Sequence, residues 1–470
     1  LAAAGYNVTL LEWNYKKDAR DFGGRVEVVH ISEHSNGQDE KWKQRNRETF
    51  VGRFGGLELV RLLPHFNAQM PSLLEGRSEV RRWDLVVVDD LFTIHGMGIA
   101  ALLRHRYGTP CVLYATTQLT AGTAVNLGLG KNLAATPYIF GRHPDGPADL
   151  YYPQLFAHRL VNVLDSGLEV LATVIFDWSY ASNAGLFGFR EFSVSRFFAR
   201  SSAVIADYAQ WRSPIPGLFT QEKTNGLSGG CVEKTTIKSF ASKCKTASGE
   251  LPADLRRFVE DRFSKGTIFV AFGTAVDWNF APDRLLDAIF GAFEQLADFR
   301  VLFVYDGPPR NTSAHIRVVR WAPQLDVLAH PNTRVYVSHG GLKSTKEAVC
   351  AHVPVVYLPL FFEQTYNADQ ATRMGFGLAL NKHTTTAGEF ERAIREVTDD
   401  PKYKTNVRRT HAFDSDRPVE ARRLIVHAIG RVVERKALGF ADQSTEVSWA
   451  AHFFAHLFVL FSLLVFLIAK

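Results

Sequence analysis

The chain has 470 residues, of which 46% are hydrophobic and 22% charged, so its length and composition predict two globular domains with cores of their own. The formal net charge is +6, but Lys and Arg are scattered and often stand beside Asp or Glu, as in residues 254–257, which argues against nucleic-acid binding. Four dispersed cysteines are too few to predict a disulfide framework or a zinc site, and they leave the redox compartment open: Cys111, Cys231, Cys244 and Cys350.

The first part of the chain predicts an α/β domain over residues 1–218. Apolar runs bounded by turn residues predict strands at residues 7–12, 84–88 and 110–114 and a helix at residues 94–106. Apolar side chains are dense between residues 150 and 200. Two interpretations of that segment stay open: an ordinary helix core, or a wall that faces an apolar ligand or a membrane.

Residues 219–250, rich in Thr, Lys, Ser and Gly, predict a linker, although a long surface loop is an alternative. A second domain follows over residues 251–440. Its helices and strands alternate, which indicates a second doubly wound sheet. In chain order the predicted elements are helix 253–262, strand 267–272, helix 282–296, strand 299–305, strand 316–320, strand 335–338, helix 341–351 and strand 353–358.

The last three of these elements form a strand-helix-strand unit with polar residues at one edge. The crossover in such a unit is right-handed, and ligands bind where its strands end and its helices begin. His339 and Gly341 stand at that point, and Ser344 and Glu347 follow on one face of the helix. Taken alone, a Gly-Gly pair after a strand more often marks a tight turn, and a helix Glu is usually solvated.

Four more residues reach the same edge of the predicted sheet. Thr274 follows the strand at 267–272, Trp321 follows the strand at 316–320, and Glu363 with Gln364 opens the helix after the last strand. Helix N–H groups suit a diphosphate, a carboxylate suits two neighbouring ribose hydroxyls, and an aromatic face suits a base. Each group alone is a weak signal, but the combination predicts a nucleotide site.

Residues 321–364 also carry one long motif, with Trp-x-Pro-Gln, Ser-His-Gly-Gly, a helix Ser and Glu, Val-Pro, a second Pro and an acidic-Gln pair. In this order the motif resembles the signature of the UDP-glycosyltransferases, membrane-bound enzymes that transfer glucuronic acid or glucose from a UDP-sugar to small lipophilic acceptors. The resemblance implies an α/β fold of two Rossmann-like domains across a cleft, the glycosyltransferase B architecture. The donor would lie on the C-terminal domain and the acceptor on the N-terminal one.

The resemblance also implies a role for each polar residue at the donor edge. Trp321 would stack on uracil, with Gln324 beside the base, and Glu347 would hold the ribose hydroxyls. Thr274 would donate a hydrogen bond to the terminal phosphate.

The remaining donor contacts would reach the diphosphate and the sugar. His339, Gly341 and Ser344 would contact the diphosphate, and Glu363 and Gln364 would contact sugar hydroxyls. Many relatives carry Asp where this chain has Glu363, so the choice between UDP-glucuronic acid and UDP-glucose stays open.

We expect no metal and no cofactor, with the UDP-sugar as a co-substrate. No DxD-like acidic cluster stands near residues 321–364. The helix N-terminus and His339 are therefore expected to neutralise the diphosphate.

The mechanism that the family implies is a direct inverting displacement, in which a His oriented by an Asp removes the acceptor hydroxyl proton. Asp89, at the end of the strand at 84–88, matches the family's Asp, although with Asp90 it is also suited to cap the next helix. The family's His would precede Leu1, so we expect an N-terminally truncated chain that lacks the signal peptide, the first strand and the base. His95 is the nearest substitute, but a helix-surface His is the simpler interpretation.

The end of the chain predicts a transmembrane anchor at residues 447–470. Residues 449–469 contain no Asp, Glu, Lys or Arg, and that length crosses a hydrocarbon core of roughly 30 Å as a helix. A buried core helix is the alternative. The resemblance, which includes Asp416-Arg417-Pro418 before a long helix, implies a single-pass protein of the endoplasmic reticulum membrane with lumenal catalytic domains. Asn311, in a polar turn, is then the expected glycosylation site.

Three hypotheses about function follow. The first is a UDP-glycosyltransferase whose partners are a UDP-sugar, a lipophilic acceptor and membrane lipid; a homo-oligomer stays open. The second is a non-catalytic UDP-sugar-binding membrane protein that lacks the base. The third, a nucleotide-sugar epimerase, is disfavoured because an epimerase needs neither an apolar acceptor region nor an anchor.

Overall fold

The computed structural model describes residues 1–14, 24, 26–32, 82–89, 94–115, 151–183, 197–198, 200–206, 235–237, 244, 247, 250–274, 276–361, 363–415, 420–435, 459 and 462. The predicted anchor at residues 447–470 lies outside the described residues, apart from Val459 and Ser462, which are helical. Asp416-Arg417-Pro418 and Asp90 lie outside them as well. Among the helices that are described, none combines the length and apolar character needed to cross a membrane.

The N-terminal part of the chain contains two parallel sheets. Strands β1 (Thr9–Asn14) and β2 (Glu27–Ser32) form a pair. Strands β3 (Val86–Asp89), β4 (Cys111–Ala115), β5 (Ala203–Ala206) and β6 (Thr235–Ile237) form a four-stranded sheet in that spatial order. The residues described in this part also include the helices α1 (Ile94–Tyr107) and α2 (Phe156–Asn183). The predicted strands and helix at residues 7–12, 84–88, 94–106 and 110–114 are present with boundaries shifted by one or two residues.

The predicted linker at residues 219–250 contains a strand of the N-terminal sheet, so the linker boundaries are wrong. Thr235–Ile237 forms β6 and pairs in parallel with Ala203, Val204 and Ile205 of β5. Its Thr-Thr-Ile sequence is β-branched throughout, which favours a strand. Three such residues inside a polar segment are too short a run to stand out from the sequence alone.

The C-terminal part of the chain forms one six-stranded parallel sheet in the spatial order β12-β11-β10-β7-β8-β9. Its strands are β7 (Thr267–Ala271), β8 (Arg300–Val304), β9 (Ile316–Val319), β10 (Thr333–Ser338), β11 (Val355–Tyr357) and β12 (Gly377–Ala379). Its helices are α3 (Ala253–Val259), α4 (Asp283–Glu294), α5 (Gln324–Ala329), α6 (Leu342–Cys350), α7 (Gln364–Arg373), α8 (Ala387–Asp399), α9 (Pro401–Ser415) and α10 (Ala421–Arg435).

Both faces of the C-terminal sheet are covered, as a parallel sheet requires. One apolar cluster joins the side chains of Ile268, Val270 and Val337 to helices α4 and α8. A second cluster joins Phe269 and Tyr336, whose rings stack 5.3 Å apart, to helices α3, α5 and α6. Side chains that alternate along each strand therefore pack into two different cores, one on each face of the sheet. This explains why these strands are apolar at nearly every position.

Helix α10 returns from the C-terminal part of the chain to the N-terminal sheet. Ala428, Ile429 and Val432 pack in one buried cluster with Val112 and Ile205. The apolar residues of α10 recur every three or four positions, so one helical face is available for this contact. The N-terminal sheet is thus completed by residues more than 200 positions away in the chain.

Cys244 and Cys350 form a disulfide across a sequence separation of 106 residues. One bridge is not a disulfide framework, but the dispersed positions of the four cysteines along the chain gave no indication of this pair. Distance along the chain says little about distance in a fold that returns on itself, and the two Cα atoms lie 5.5 Å apart. Among the described residues, Cys111 is a free cysteine, buried on β4.

Candidate functional site

The candidate site lies where the C-terminal sheet changes its winding direction. Strand β7 is central, with β8 and β9 on one side and β10 to β12 on the other. Strands β7 and β10 pair in parallel, with Ala271 opposite Ser338, so both chains leave the sheet at the same edge. In doubly wound sheets the crevice at such a point is the ligand site. Gly273 and Thr274 leave β7 there, and His339 leaves β10.

Two glycines make room for the His339 imidazole. A Cβ atom on Gly273 would lie 3.1 Å from the ring, and one on Gly341 would lie 2.6 Å from Nε2. Gly273 also has a φ of 73°, which other residues rarely adopt. Both glycines are therefore required by the packed imidazole, in addition to any close approach of a ligand.

His339 is an uncharged histidine in this structure. Its side chain is buried, and burial lowers the pKa from 6.5 to about 4. Its Nδ1 has no hydrogen-bond partner among the described residues. His339 was expected to help neutralise a diphosphate. Because the ring is buried, it carries no charge near neutral pH in the site without ligand, and it can only donate or accept a hydrogen bond.

The N-terminus of α6 opens towards the same crevice. Gly341 is its N-cap residue and supplies no side chain to cap the helix. The Glu363 carboxylate accepts hydrogen bonds from the backbone N–H groups of Leu342 and of Glu363 itself, while burial raises its pKa overall. The two N–H groups favour the charged carboxylate but do not outweigh its burial, so this helix end offers donors to an acceptor oxygen.

The side chains of Gln324 and Glu347 form a hydrogen-bonded pair along α6. Gln324 Nε2 donates to Glu347 Oε2 at 2.6 Å and lies 3.5 Å from Ser344 Oγ. The Tyr336 hydroxyl lies 3.2 Å from Gln324 Oε1 and 3.1 Å from the carbonyl oxygen of Ala271. Burial raises the pKa of Tyr336 to about 12, so its hydroxyl stays a donor. The Tyr336 hydroxyl can therefore donate its proton to Gln324 Oε1 or to the Ala271 carbonyl, and Gln324 in turn donates to the Glu347 carboxylate.

The predicted base-stacking residue is available to a ligand. Trp321 follows β9 and has 71% of its surface exposed, which is far from the usual burial of a Trp. Thr274 is exposed beyond β7. The structure thus brings together at one edge Thr274, Trp321, Gln324, His339, Gly341, Ser344, Glu347 and Glu363.

Gln364 has a structural role, and its expected contact with the sugar stays a prediction. It is buried, and its Oε1 accepts hydrogen bonds from the backbone N–H groups of Leu360 and Phe361 at 2.8 and 3.0 Å. This oxygen shapes the turn between β11 and α7. Asn367, one turn further on, was missed by the sequence analysis, and its Nδ2 donates to the carbonyl oxygen of Gly340 at 2.8 Å. Its i, i+3 spacing from Gln364 was the available signal.

The predicted catalytic Asp lies on the other sheet. Asp89 ends β3 at its carboxyl edge, opposite Tyr114 of β4, and is half-buried. His95 is in the first turn of α1; its side chain lies outside the described part of the molecule. Asn311 is exposed, as its polar turn predicts.

The buried His339 predicts a specific loss of stability in acid. Its pKa is near 6.5 in the unfolded chain and about 4 in the fold, so its contribution is complete above pH 6.5 and is lost as the pH falls towards 4. That difference corresponds to about 3 kcal/mol. Urea unfolding at a series of pH values should show that the wild type loses about this much more stability than His339→Gln between pH 7 and pH 4. Parallel curves for the two proteins would contradict a neutral buried imidazole.

Residues 238–466 match the sequence family described as UDP-glucoronosyl and UDP-glucosyl transferase. UDP-glucuronosyltransferase 2B14 of Oryctolagus cuniculus is 34% identical over 178 residues, which cover 38% of this chain and 33% of the relative. UDP-glucuronosyltransferase 1A6 of Homo sapiens is 31% identical over 376 residues, which cover 78% of this chain and 64% of the relative. The chain spans about a third of the length of most of the curated relatives it matches, between 33% and 37%.

Solved glycosyltransferase structures share the fold. Os79 from O. sativa in complex with UDP superposes with a TM-score of 0.56 and 17% identity, over 91% of this chain and 95% of that one. Phytolacca americana UGT2 complexed with UDP-2fluoro-glucose and pterostilbene superposes with a TM-score of 0.52 and 15% identity, over 90% of this chain and 92% of that one. At these identities the likeness establishes the two-domain glycosyltransferase B fold. Together with the sequence matches, it shows that the chain is similar to UDP-glycosyltransferases in its C-terminal sequence and in its fold.

Proposed function

We propose that the protein transfers a hexosyl group, glucuronic acid or glucose, from a UDP-sugar to a small lipophilic acceptor. One observation carries the proposal: helix α6 presents, beside His339, an N-terminus whose N-cap residue has no side chain and, further along the helix, a carboxylate held by Gln324. Gly341 and Glu347 are separated by about 9 Å along the helix axis. A nucleoside diphosphate presents its phosphates and its ribose hydroxyls in the same order.

Each donor group matches one part of UDP. The exposed ring of Trp321 is suited to stack on uracil, with Gln324 beside the base, and Glu347 accepts hydrogen bonds from the ribose hydroxyls. The free N–H groups of α6, Ser344 and Thr274 donate to the phosphates. Glu363 now occupies that helix end, so the entering diphosphate displaces its carboxylate towards the sugar.

The acceptor half of the proposal is supported by helix α2, which exposes apolar residues and buries polar ones. Phe156 and Leu164 are 69% and 57% exposed, whereas Asp165 and Ser166 are buried. At 100° per residue the exposed apolar side chains fall within about 160° of arc. They are Phe156, Leu160, Val161, Val163, Leu164 and Leu171. A helix with this pattern is suited to face an apolar acceptor or lipid in place of water.

In the proposed reaction a general base removes the acceptor hydroxyl proton while that oxygen attacks the anomeric carbon and UDP leaves. Asp89 would orient the imidazole of the base and stabilise its protonated form. His95, in the first turn of α1, is the nearest histidine after Asp89 in the sequence and is the substitute candidate for the base. The family resemblance favours a histidine that precedes β1.

The first test removes the ribose contact. Glu347→Ala should weaken UDP binding by about 2 to 4 kcal/mol, because charge-assisted hydrogen bonds contribute roughly 1.5 to 3 kcal/mol each and are not fully additive. Isothermal calorimetry with UDP measures the change.

Lys343→Ala is the matched control, since Lys343 lies on the same helix and is exposed. Its affinity for UDP should stay close to that of the wild type. Equal UDP affinities for the Glu347 variant and the wild type would contradict the assignment of Glu347 to the ribose hydroxyls.

The second test separates binding from transfer. Asp89→Asn should lower the rate of glycosyl transfer by about 10²- to 10⁴-fold, the usual contribution of general-base catalysis. UDP affinity should not change, because Asp89 lies on the N-terminal sheet. Initial rates with a radiolabelled UDP-sugar and a phenolic acceptor measure transfer, and calorimetry measures binding.

Asp84→Asn is the control for this variant, since Asp84 is exposed at the opposite end of the same strand. His95→Ala, assayed in the 470-residue chain and in a chain extended upstream, identifies which histidine is the base. UDP binding with no transfer in either form would favour a non-catalytic UDP-sugar-binding protein.

We propose that the donor site works without a metal. The helix N-terminus and the hydrogen-bonding groups around it are suited to hold the diphosphate. Transfer by the oxidised protein should therefore continue in excess EDTA. Activity that is abolished by the chelator and restored by Mg²⁺ or Mn²⁺ would refute metal independence.

We further propose a single-pass protein of the endoplasmic reticulum membrane, anchored by residues 447–470, with lumenal catalytic domains. The Cys244–Cys350 disulfide supports this compartment, because disulfides persist in oxidising surroundings. The anchor is supported by the uncharged run at residues 449–469.

Compartment and anchor can be tested in one eukaryotic expression experiment. The wild type should carry a glycosidase-sensitive glycan that Asn311→Gln removes, because the exposed Asn311 sequon is reachable in the lumen. Deletion of residues 447–470 should release the protein from carbonate-washed membranes. An unglycosylated wild type would count against a lumenal domain, and membrane retention of the deletion variant would count against a sole C-terminal anchor.

A further inference from the structure

The far end of helix α6 carries sulfur and imidazole groups that the donor site does not use. Cys350 is the last residue of α6, Cys244 is bonded to it, and His411 approaches from α9. The two Sγ atoms and one ring nitrogen of His411 all lie within 4.8 Å of one another. Nine helical residues separate this cluster from Gly341 by about 13 Å, so it is distinct from the donor site.

The spacing of these atoms is that of a tetrahedral metal centre. Cys244 Sγ lies 3.5 Å from His411 Nε2. Bonds of about 2.3 Å to sulfur and 2.0–2.1 Å to nitrogen, at the tetrahedral angle, place a sulfur and a nitrogen ligand about 3.6 Å apart. By the same geometry two sulfur ligands stand about 3.8 Å apart. The separation of Cys244 Sγ from His411 Nε2 is therefore already present, and metal binding also requires the S–S bond to open.

A second histidine orients the first. His352 Nε2 lies 3.0 Å from His411 Nδ1, and the two rings meet edge to face with centroids 4.6 Å apart. If Nδ1 of His411 donates this hydrogen bond, its Nε2 lone pair faces the sulfurs. Ser415 Oγ, 3.3 Å from the same Nε2, can donate to that lone pair in the same tautomer, and a metal bound there would displace this hydrogen bond. A histidine ligand held through its other ring nitrogen is the usual arrangement around protein-bound metals.

The backbone at His352 is strained in a way that supports this arrangement. Among the described residues, His352 is the non-glycine residue with a positive φ, at 57°. It follows the C-cap of α6, where glycine is the common residue because a side chain costs energy in this conformation. The imidazole contact with His411 gives a reason for a histidine at this position, and strain of this kind concentrates at functional sites.

We propose that, when the disulfide is reduced, Cys244, Cys350 and His411 bind a thiophilic divalent cation of the Zn²⁺ class. Two thiolates and one imidazole are the donors that Zn²⁺ prefers, and the partial exposure of all three residues leaves a fourth position to water. His352 acts as a positioning residue for His411. In either state the segment around Cys244 stays tied to α6, by a covalent bond or by the metal.

The chemistry balances in two steps. A dithiol reductant breaks the S–S bond, supplies two electrons and two protons to the sulfurs, and becomes a disulfide itself. Binding of the cation then displaces the two thiol protons to solvent. Affinity for the metal therefore rises with pH, and proton release accompanies binding.

The first experiment compares the oxidised and reduced forms of the same 470-residue chain, so no substitution can disturb the fold. A trialkylphosphine reduces the bridge and becomes the phosphine oxide with oxygen from water. Co²⁺ is then added anaerobically as a spectroscopic probe. The reduced chain should show thiolate-to-cobalt charge-transfer absorption and the strong visible bands of tetrahedral Co²⁺, both removed by Zn²⁺. The oxidised chain should show neither. Absence of these bands in the reduced chain would overturn the proposal.

The second experiment assigns the ligands. Cys244→Ser, Cys350→Ser and His411→Ala should each abolish tight, stoichiometric Co²⁺ binding in the reduced chain. Cys111→Ala, which removes a buried thiol on β4, should retain it. UDP affinity, measured on every variant, reports whether the donor domain is intact. Unchanged cobalt bands in either serine variant would show that other thiols bind the metal and would overturn the assignment.

The third experiment tests His352 without altering its backbone conformation. Asn is tolerated in the left-handed region but is too short to replace the imidazole, so His352→Asn isolates loss of the contact with His411. Zn²⁺ affinity, measured by competition with a chromophoric chelator, should fall about 10- to 100-fold, with the thiolate bands still present. An unchanged affinity would remove His352 from the site.

Discussion

The donor edge depends on the parallel pairing of β7 with β10. These strands are far apart in the chain, yet Ala271 and Ser338 stand side by side where the winding of the sheet reverses. The pairing places Gly273 against the imidazole of His339, and Gly341 closes the other side. Burial of that ring keeps it uncharged and leaves Nδ1 without a partner among the described residues. The rest of the site is arranged around this packed histidine.

Helix α6 converts this edge into an ordered set of ligand groups. Its first residues offer free N–H groups, its middle carries Glu347, and its last residue is Cys350. The Glu347 carboxylate accepts a hydrogen bond from Gln324, whose Oε1 lies within hydrogen-bond distance of the Tyr336 hydroxyl on the sheet. A rotation of α6 would therefore disturb the helix terminus, the carboxylate and the Cys-His cluster together. Rigid support of this kind is what a preorganised binding site requires.

The two halves of the chain divide their polar and apolar surfaces differently. The C-terminal sheet buries apolar residues on both faces and keeps polar groups at the ends of its strands. Helix α2 in the N-terminal half does the reverse, with Asp165 and Ser166 buried and Phe156 exposed. Exposed apolar surface is costly in water, so its presence on α2 is consistent with a lipophilic ligand or membrane at that face. Helix α10 links the halves by covering β4 and β5.

The sequence by itself determined the local elements and the chemistry of the donor edge. Strands such as Thr267–Ala271 and the polar residues after them are encoded by nearby residues, because an apolar run and its turn are local features. Tertiary structure alone decided which distant groups meet. It paired Cys244 with Cys350, added Thr235–Ile237 to the N-terminal sheet and directed the Gln364 oxygen into its own turn. These contacts depend on chain path and burial, which periodicity and motif spacing do not specify.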